Sequence, residues 1–148
     1  MEYICRRLSE KDIEMVMEMN KNFREGFVCY NNALIFLKNK SNWIFAAVCN
    51  EVIIGFAYGY ELNRLNDIGN ILYLHEVGVM DNYRKQGVGY RMMSELKLEC
   101  KDKKICRYFL STYQNNAGAN ALYKKLGGIV SDESQGNDTN YIFFTKHE

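Results

Sequence analysis

A strand-like run from Ile71 to Val79 gives way, across Arg84-Lys85-Gln86-Gly87-Val88-Gly89, to a helix-like run that starts near Val88. A strand, a glycine loop and a helix in that order belong to a fold in which sheet and helices pack in layers. The order also has a chemical consequence. The first amides of a helix lack carbonyl partners of their own, and the helix dipole adds partial positive charge at the same place. Two glycines two apart let an anion reach the backbone without meeting a β-carbon, so the loop is shaped for a pyrophosphate. Arg84 and Lys85 add charge beside it. Six residues are short, and a surface turn holding two glycines by chance would look the same.

Two other phosphate loops do not fit. A dinucleotide fingerprint needs a third glycine where this chain has Met92, and an acidic residue closing the next strand. A Walker loop needs Gly-Lys-Ser/Thr after its glycines, which is absent.

A second block follows a second strand-like run: Tyr113-Gln114-Asn115-Asn116-Ala117-Gly118-Ala119-Asn120-Ala121-Leu122-Tyr123-Lys124-Lys125-Leu126-Gly127. Taken with Arg84-x-x-Gly87-x-Gly89 and the preceding Leu74-His75-Glu76-Val77-Gly78-Val79, it resembles the GNAT superfamily of acetyl-CoA-dependent N-acetyltransferases. Both motifs stand in the family's order and at its usual separation. The resemblance implies an α/β (α+β) fold. Its central sheet is mixed and mostly antiparallel, splayed at the coenzyme site and flanked by helices. One departure is visible: the aromatic that usually follows Leu-Gly is Gly128 here.

The resemblance also implies roles. Arg84, Lys85, Gln86, Gly87, Val88 and Gly89 would hold the coenzyme pyrophosphate. Val77, Gly78 and Val79 would pair with the pantetheine arm, with the Val77 N–H as oxyanion donor. Glu76 is the expected base, directly or through water, since a carboxylate in a half-apolar cleft has its pKa raised. Tyr123 is the expected acid at the leaving sulfur, by proton or by hydrogen bond. Asn116 would bond the pantetheine arm or cap its helix. Gly78 within a strand points to a bulge or a close approach. Alternation sends His75 to the opposite face from Glu76 unless a bulge intervenes, and His75 reads as structural.

With 148 residues the chain is expected to be one domain spanning 1–148, able to bury roughly two-thirds of its unfolded surface. A formal net charge of +1 gives no general case for nucleic acid. From Arg84 to Arg107, however, eight Lys/Arg stand against three Asp/Glu. Most would be a solvated helix face, and a few could meet a coenzyme phosphate. Five cysteines without Cys-x-x-Cys spacing read as reduced thiols rather than disulfides or metal ligands. No apolar run of membrane-spanning length and no signal-like start occur, so the expectation is cytoplasmic, with no membrane partner and no metal.

Along the chain, strands are expected at Tyr3–Arg7, Trp43–Cys49, Val52–Leu62, Asn70–Val79 and Arg107–Thr112, with a closing pair at Ile129–Ser131 and Tyr141–Lys146. Helices are expected after Ser9, over Asn31–Lys38 (Ala33, Leu34, Ile35 and Leu37 partly inward), from Val88 to about Lys103, and over Asn116–Leu126. The stretch Phe23–Tyr30 borders the acceptor site in the family and is a specificity candidate.

The stretches Tyr60-Glu61-Leu62-Asn63-Arg64 and Tyr73-Leu74-His75-Glu76 are similar to the smaller aminoglycoside 3-N-acetyltransferases. There an Asp stands in place of Glu76 and a Pro in place of Asn63. A polycationic acceptor would call for several carboxylates, and Glu61, Glu76, Asp132, Glu133 and Asp138 could supply them. The leading expectation is acetyl transfer to a small primary amine. A protein lysine or N-terminal acetyltransferase and a non-catalytic acyl-CoA sensor stand beside it. The family often forms dimers, so a homodimer is a further expectation.

Overall fold

The computed structural model describes residues 2–23, 28–131 and 136–145. Seven strands form one sheet: β1 Ile4–Arg7, β2 Asn42–Cys49, β3 Val52–Leu62, β4 Asn70–Val79, β5 Ile105–Tyr113, β6 Ile129–Val130 and β7 Asp138–Phe144. The helices are α1 Ile13–Phe23, α2 Tyr30–Lys38, α3 Val88–Asp102 and α4 Ala117–Lys125. The strands lie in the order β1-β2-β3-β4-β5-β7-β6. Every neighbouring pair is antiparallel except β4–β5. This is the mixed, mostly antiparallel sheet expected from the sequence.

The sheet is buried on both faces. Along β2, Trp43, Phe45 and Ala47 face α3 and α4, while Ile44, Ala46 and Val48 face α1 and α2. Strict alternation is what a strand imposes, and apolar residues at every position from Trp43 to Cys49 are what a doubly covered strand needs. Helix α3 buries Val88, Met92, Leu96 and Cys100, the spacing expected of it, and adds Met93.

Local chemistry fixes the elements. The Ser9 side chain accepts from the Lys11 N–H, and Asp12 bonds back to the Ser9 N–H at 2.8 Å, a reciprocal cap. Asp12 also accepts from both terminal nitrogens of Arg6, at 2.9 and 2.7 Å, which pins the start of α1 to β1. Asn50 and Glu51 adopt φ of 49° and 62°, the two left-handed residues that a tight hairpin turn requires between β2 and β3.

Helix α2 departs from expectation at one position. Ile35 is exposed, and Phe36 turns inward to meet Tyr58 and Tyr60 with centroids at 5.9 and 6.1 Å. The larger ring displaces Ile35 from the buried stripe. All five cysteines are free, with Cys49, Cys100 and Cys106 buried. No helix among the described residues is long and apolar enough to cross a membrane. Lys146, at the end of an expected strand, lies outside the described residues.

Candidate active site

Beyond the end of β4 the chain makes one turn of 3-10 helix at Asp81–Tyr83 and then enters the glycine loop. Gly87 caps α3 with φ of 83° and offers no side chain to the helix. The first amide taken up by a carbonyl is that of Arg91, bonded to Gly87 O at 3.0 Å. The amides of Val88, Gly89 and Tyr90 stand ahead of it, as at any helix start. A β-carbon on Gly87 would meet nothing within 4 Å, so the space beside the loop is open. At Gly89 a β-carbon would lie 3.2 Å from Leu122 Cδ2. Its smallness lets α4 approach α3. Arg84 and Lys85 are exposed, and Lys85 has φ of 60°.

Strands β4 and β5 pair only from Asn70↔Ile105 to Tyr73↔Phe109. Beyond Tyr73, β4 continues to Val79 on β3 alone, while β5 continues on β7 alone. The sheet is therefore splayed at this point. The Met80 N–H donates to Ile54 O at 2.8 Å, toward β3. Alternation along an antiparallel ladder then turns the N–H and C=O of Val79 and Val77 away from β3, into the splay. Arg84 Nε donates to the Val79 carbonyl at 3.2 Å, leaving the two Val77 groups and the Val79 N–H along the gap.

Glu76 stands on the other side of this strand. In the β3–β4 register Tyr58 faces Glu76 but Gly59 faces Leu74, so His75 is an extra residue. The bulge changes the parity of β4: Leu72 and Leu74 face α3, and so do Val77 and Val79. His75 and Glu76 consequently share the α1–α2 face, and His75 is not on the opposite face from Glu76. The His75 ring lies 5.6 Å from Tyr58, 6.4 Å from Tyr60 and 5.9 Å from Tyr73, with the Tyr73 hydroxyl 3.3 Å from Nδ1. Gly78 is not the bulge. Its need is the alternative one, close approach, since a β-carbon would sit 2.9 Å from the Phe56 ring.

Glu76 opens into a cleft of about 300 Å³ between α1, α2 and the β3–β4 face. Phe23, Phe36, Phe56, Tyr58 and Tyr60 line much of it. A wider groove of about 970 Å³ lies by β1, α1 and the β2–β3 turn, and none of the motif residues is among the described residues that line it. Of the five carboxylates considered for a polycationic acceptor, only Glu76 lines the cleft among the described residues. Glu61 accepts instead from Trp43 Nε1 at 3.0 Å and Asn70 Nδ2 at 2.8 Å. Asp138 pairs in register with Tyr113, and Asp132 and Glu133 lie outside the described residues.

Helix α4 carries the second motif. Asn116 caps it, its Oδ1 accepting from the Ala119 N–H at 3.1 Å. Asn120, to which sequence reading gave no role, donates to the carbonyls of Tyr113 (3.0 Å) and Asn116 (2.7 Å) and accepts from the Tyr141 hydroxyl at 2.6 Å. It ties the β5–α4 loop to β7. Only its place in the motif could have marked it. Tyr123 is buried between α4 and β7, its ring 5.5 Å from Tyr141 and 6.1 Å from Phe143. Burial, with Tyr141 nearby, pushes its phenol up to about 12. The helix ends in a left-handed Gly127 (φ 87°), with Gly128 N–H on Tyr123 O at 2.9 Å. The Phe143 ring fills the space beside Gly128, where a β-carbon would come within 2.7 Å of it.

An extended thioester with a pyrophosphate fits these features: open space at helix amides, then free strand groups leading along the splay to Val77. Among the described residues no cluster of His, Cys, Asp and Glu could hold a metal. The model of the acetyltransferase (GNAT) family matches residues 11–128. In fold, the chain is similar to an aminoglycoside acetyltransferase from an uncultured soil metagenomic sample, with TM-score 0.81, 16% identity, and 90% of this chain and 93% of that one covered. It is also similar to Arabidopsis thaliana NAA60 in complex with acetyl-CoA (TM-score 0.74, 16% identity, 97% and 98% covered). A third is Ard1 from Thermoplasma volcanium (TM-score 0.73, 18% identity, 99% and 100% covered). The chain belongs to the GNAT acetyltransferase family and is an acetyl-CoA-dependent N-acetyltransferase, with acetyl-CoA as its cosubstrate.

Proposed function

We propose that the protein transfers the acetyl group to the primary amine of a small-molecule acceptor, by direct attack in a ternary complex. The observation that carries this is the placement of Glu76 and Val77. The Glu76 side chain faces the cleft, and the backbone of the next residue faces the splay. An amine in the cleft meets a base on one side and a thioester laid along β4 on the other. The two reactants are thus brought together across a single strand.

Glu76 takes the proton from the amine, directly or through one water. The Val77 N–H supports the charge that develops on the carbonyl oxygen. The amides at 87–90 hold the pyrophosphate, with Arg84, Lys85 and Gln86 beside it. A phenol with its pKa near 12 is a weak proton source for a thiolate whose acid has a pKa of about 8.5. Tyr123 therefore steadies the leaving sulfur as a hydrogen-bond donor. Asn116 is engaged as a helix cap and acts by fixing the start of α4.

An aminoglycoside is one acceptor in this class, supported by the similarity of the Tyr60–Arg64 and Tyr73–Glu76 stretches and by the fold shared with an aminoglycoside acetyltransferase. The test is thiol release from acetyl-CoA over a panel of amines, with acetyl-CoA affinity measured by calorimetry. Glu76→Gln is expected to lower turnover about a hundredfold or more while acetyl-CoA still binds. Full turnover in that variant removes Glu76 as base. Acetyl-CoA uptake without turnover of any amine would make the protein a sensor.

A further inference from the structure

Asn120 and Tyr123 stand three residues apart on α4 and so share one face of the helix. Tyr141 of β7 spans the two. Its hydroxyl donates to Asn120 Oδ1 at 2.6 Å, and its ring lies 5.5 Å from the Tyr123 ring at a tilt of 58°. Both tyrosines are buried, Tyr141 completely. A ring bonded at its tip cannot slide along the helix, so its flank is a fixed wall for Tyr123. Phe143 stands edge-on to Tyr123 at 6.1 Å and bounds it further. Asn120 is held in turn. Its Nδ2 lies 3.0 Å from the Tyr113 carbonyl oxygen, 3.3 Å from that of Gln114 and 2.7 Å from that of Asn116. A flipped amide would turn its own oxygen toward these three acceptors. The loop therefore fixes which way Asn120 points, and Oδ1 is left facing Tyr141.

We propose that Asn120 is a positioning residue of the transfer reaction: through the Tyr141 hydroxyl it fixes where the Tyr123 phenol stands against the leaving sulfur. This rests on the role given to Tyr123 above and adds the residues that make that role work. Asn120 needs no contact with the thioester. It joins the β5–α4 loop, β7 and the Tyr123 side of α4 into one unit, so the phenol is in place before the coenzyme arrives. The demand for such an anchor is steep, because a misplacement of about 1 Å can cost on the order of a hundredfold in rate. A donor whose ring is free to shift loses that much without leaving its pocket.

The experiment is a double-mutant cycle read in kcat, by thiol release from saturating acetyl-CoA with the amine of the panel that turns over fastest. Tyr123→Phe is expected to lower kcat about a hundredfold, and Asn120→Ala and Tyr141→Phe about tenfold each. Added to Tyr123→Phe, either is expected to change kcat less than about twofold, since an anchor that acts through the phenol has nothing left to position. Tyr141→Phe keeps the ring and the loop bonds of Asn120, so it carries the test should Asn120→Ala not fold. Its calorimetric acetyl-CoA affinity is expected to match the parent's. Urea midpoints are followed in parallel, and a purely structural Asn120 lowers them while leaving kcat of the folded protein unchanged. That result overturns the proposal, as does a tenfold loss that persists in the Tyr123→Phe background, and in both cases the role of Tyr123 stands. Parental kcat in Tyr123→Phe instead removes the role on which the proposal rests, and a parent that binds acetyl-CoA but turns over no amine removes both.

Discussion

His75 and Glu76 are consecutive residues of β4, yet both side chains stand on the face that carries α1 and α2, because the strand gains one residue against Tyr58 and Gly59. Gly59 is what allows this. A β-carbon there would come within 1.8 Å of the Tyr73 carbonyl oxygen, which is backbone and cannot swing aside. The bulge thus couples the orientation of the candidate base to a glycine on the neighbouring strand.

Gly59→Ala should therefore cost about 3 kcal/mol of stability, the upper end of what overpacking costs, and should also displace Glu76. The expected result is a lower urea midpoint together with a fall in turnover comparable with that of Glu76→Gln. Normal turnover in a folded Gly59→Ala protein would separate the bulge from catalysis.

The two loop glycines are expected to differ. Gly87→Ala places a β-carbon at φ of 83° in open space, so it strains the backbone by about 1–2 kcal/mol and sets a methyl group beside the helix-start amides. Acetyl-CoA affinity should drop at least tenfold by calorimetry. Gly89→Ala lies within α3 and meets the flexible end of Leu122 at 3.2 Å. Its gain in helix propensity of about 1 kcal/mol offsets that contact, so its urea midpoint should stay near that of the parent.

Much of this was legible in the sequence, and the exceptions share a cause. Helix α3 and the β2–β3 hairpin came through because their signals are local: apolar residues at helical spacing, and two β-rich runs around Asn50-Glu51. Glu76 and Gly87 could be singled out because they sit in motifs, and in the fold Glu76 lines the cleft and Gly87 caps α3. The side on which His75 lies did not, because the residue that decides it, Gly59, is on another strand and alternation carries no trace of it. Ile35 and Phe36 are adjacent on α2, and only the rings of Tyr58 and Tyr60 select Phe36 for burial. Glu61 looked available for a ligand until the fold brought Trp43 and Asn70 to it.

Stability should fall at alkaline pH. Burial pushes the Cys100 and Cys5 thiols from about 9 up to about 12, and the Tyr123 phenol from 10 up to about 12. Each folded-state pKa lies above its unfolded value, so the folded state holds these protons more tightly. Their contribution is complete below about pH 9 and is lost as pH rises toward 12. For Cys100 alone the loss reaches the order of 4 kcal/mol. Thermal melts at pH 8, 10 and 11 should show a steady decline in midpoint, and Cys100→Ala should flatten it. A midpoint unchanged to pH 11 would contradict the burial of these groups.

Phe143 compensates for the missing aromatic after Leu126-Gly127. Its ring stacks on Tyr108 at 4.5 Å, meets Tyr123 edge-on, and occupies the space that a side chain at 128 would need. Gly128→Ala should cost about 1–3 kcal/mol, since its β-carbon would be 2.7 Å from the ring and 2.9 Å from the Tyr123 carbonyl. Phe143→Leu should cost a similar amount by leaving a cavity. Combined, the two should cost less than their sum by about 1 kcal/mol, because each relieves part of the other's defect. The relief is partial, as the Tyr123 carbonyl stays in place. Urea denaturation of the four proteins of this cycle measures the coupling, and strict additivity would mean that Phe143 does not stand in for a residue at 128.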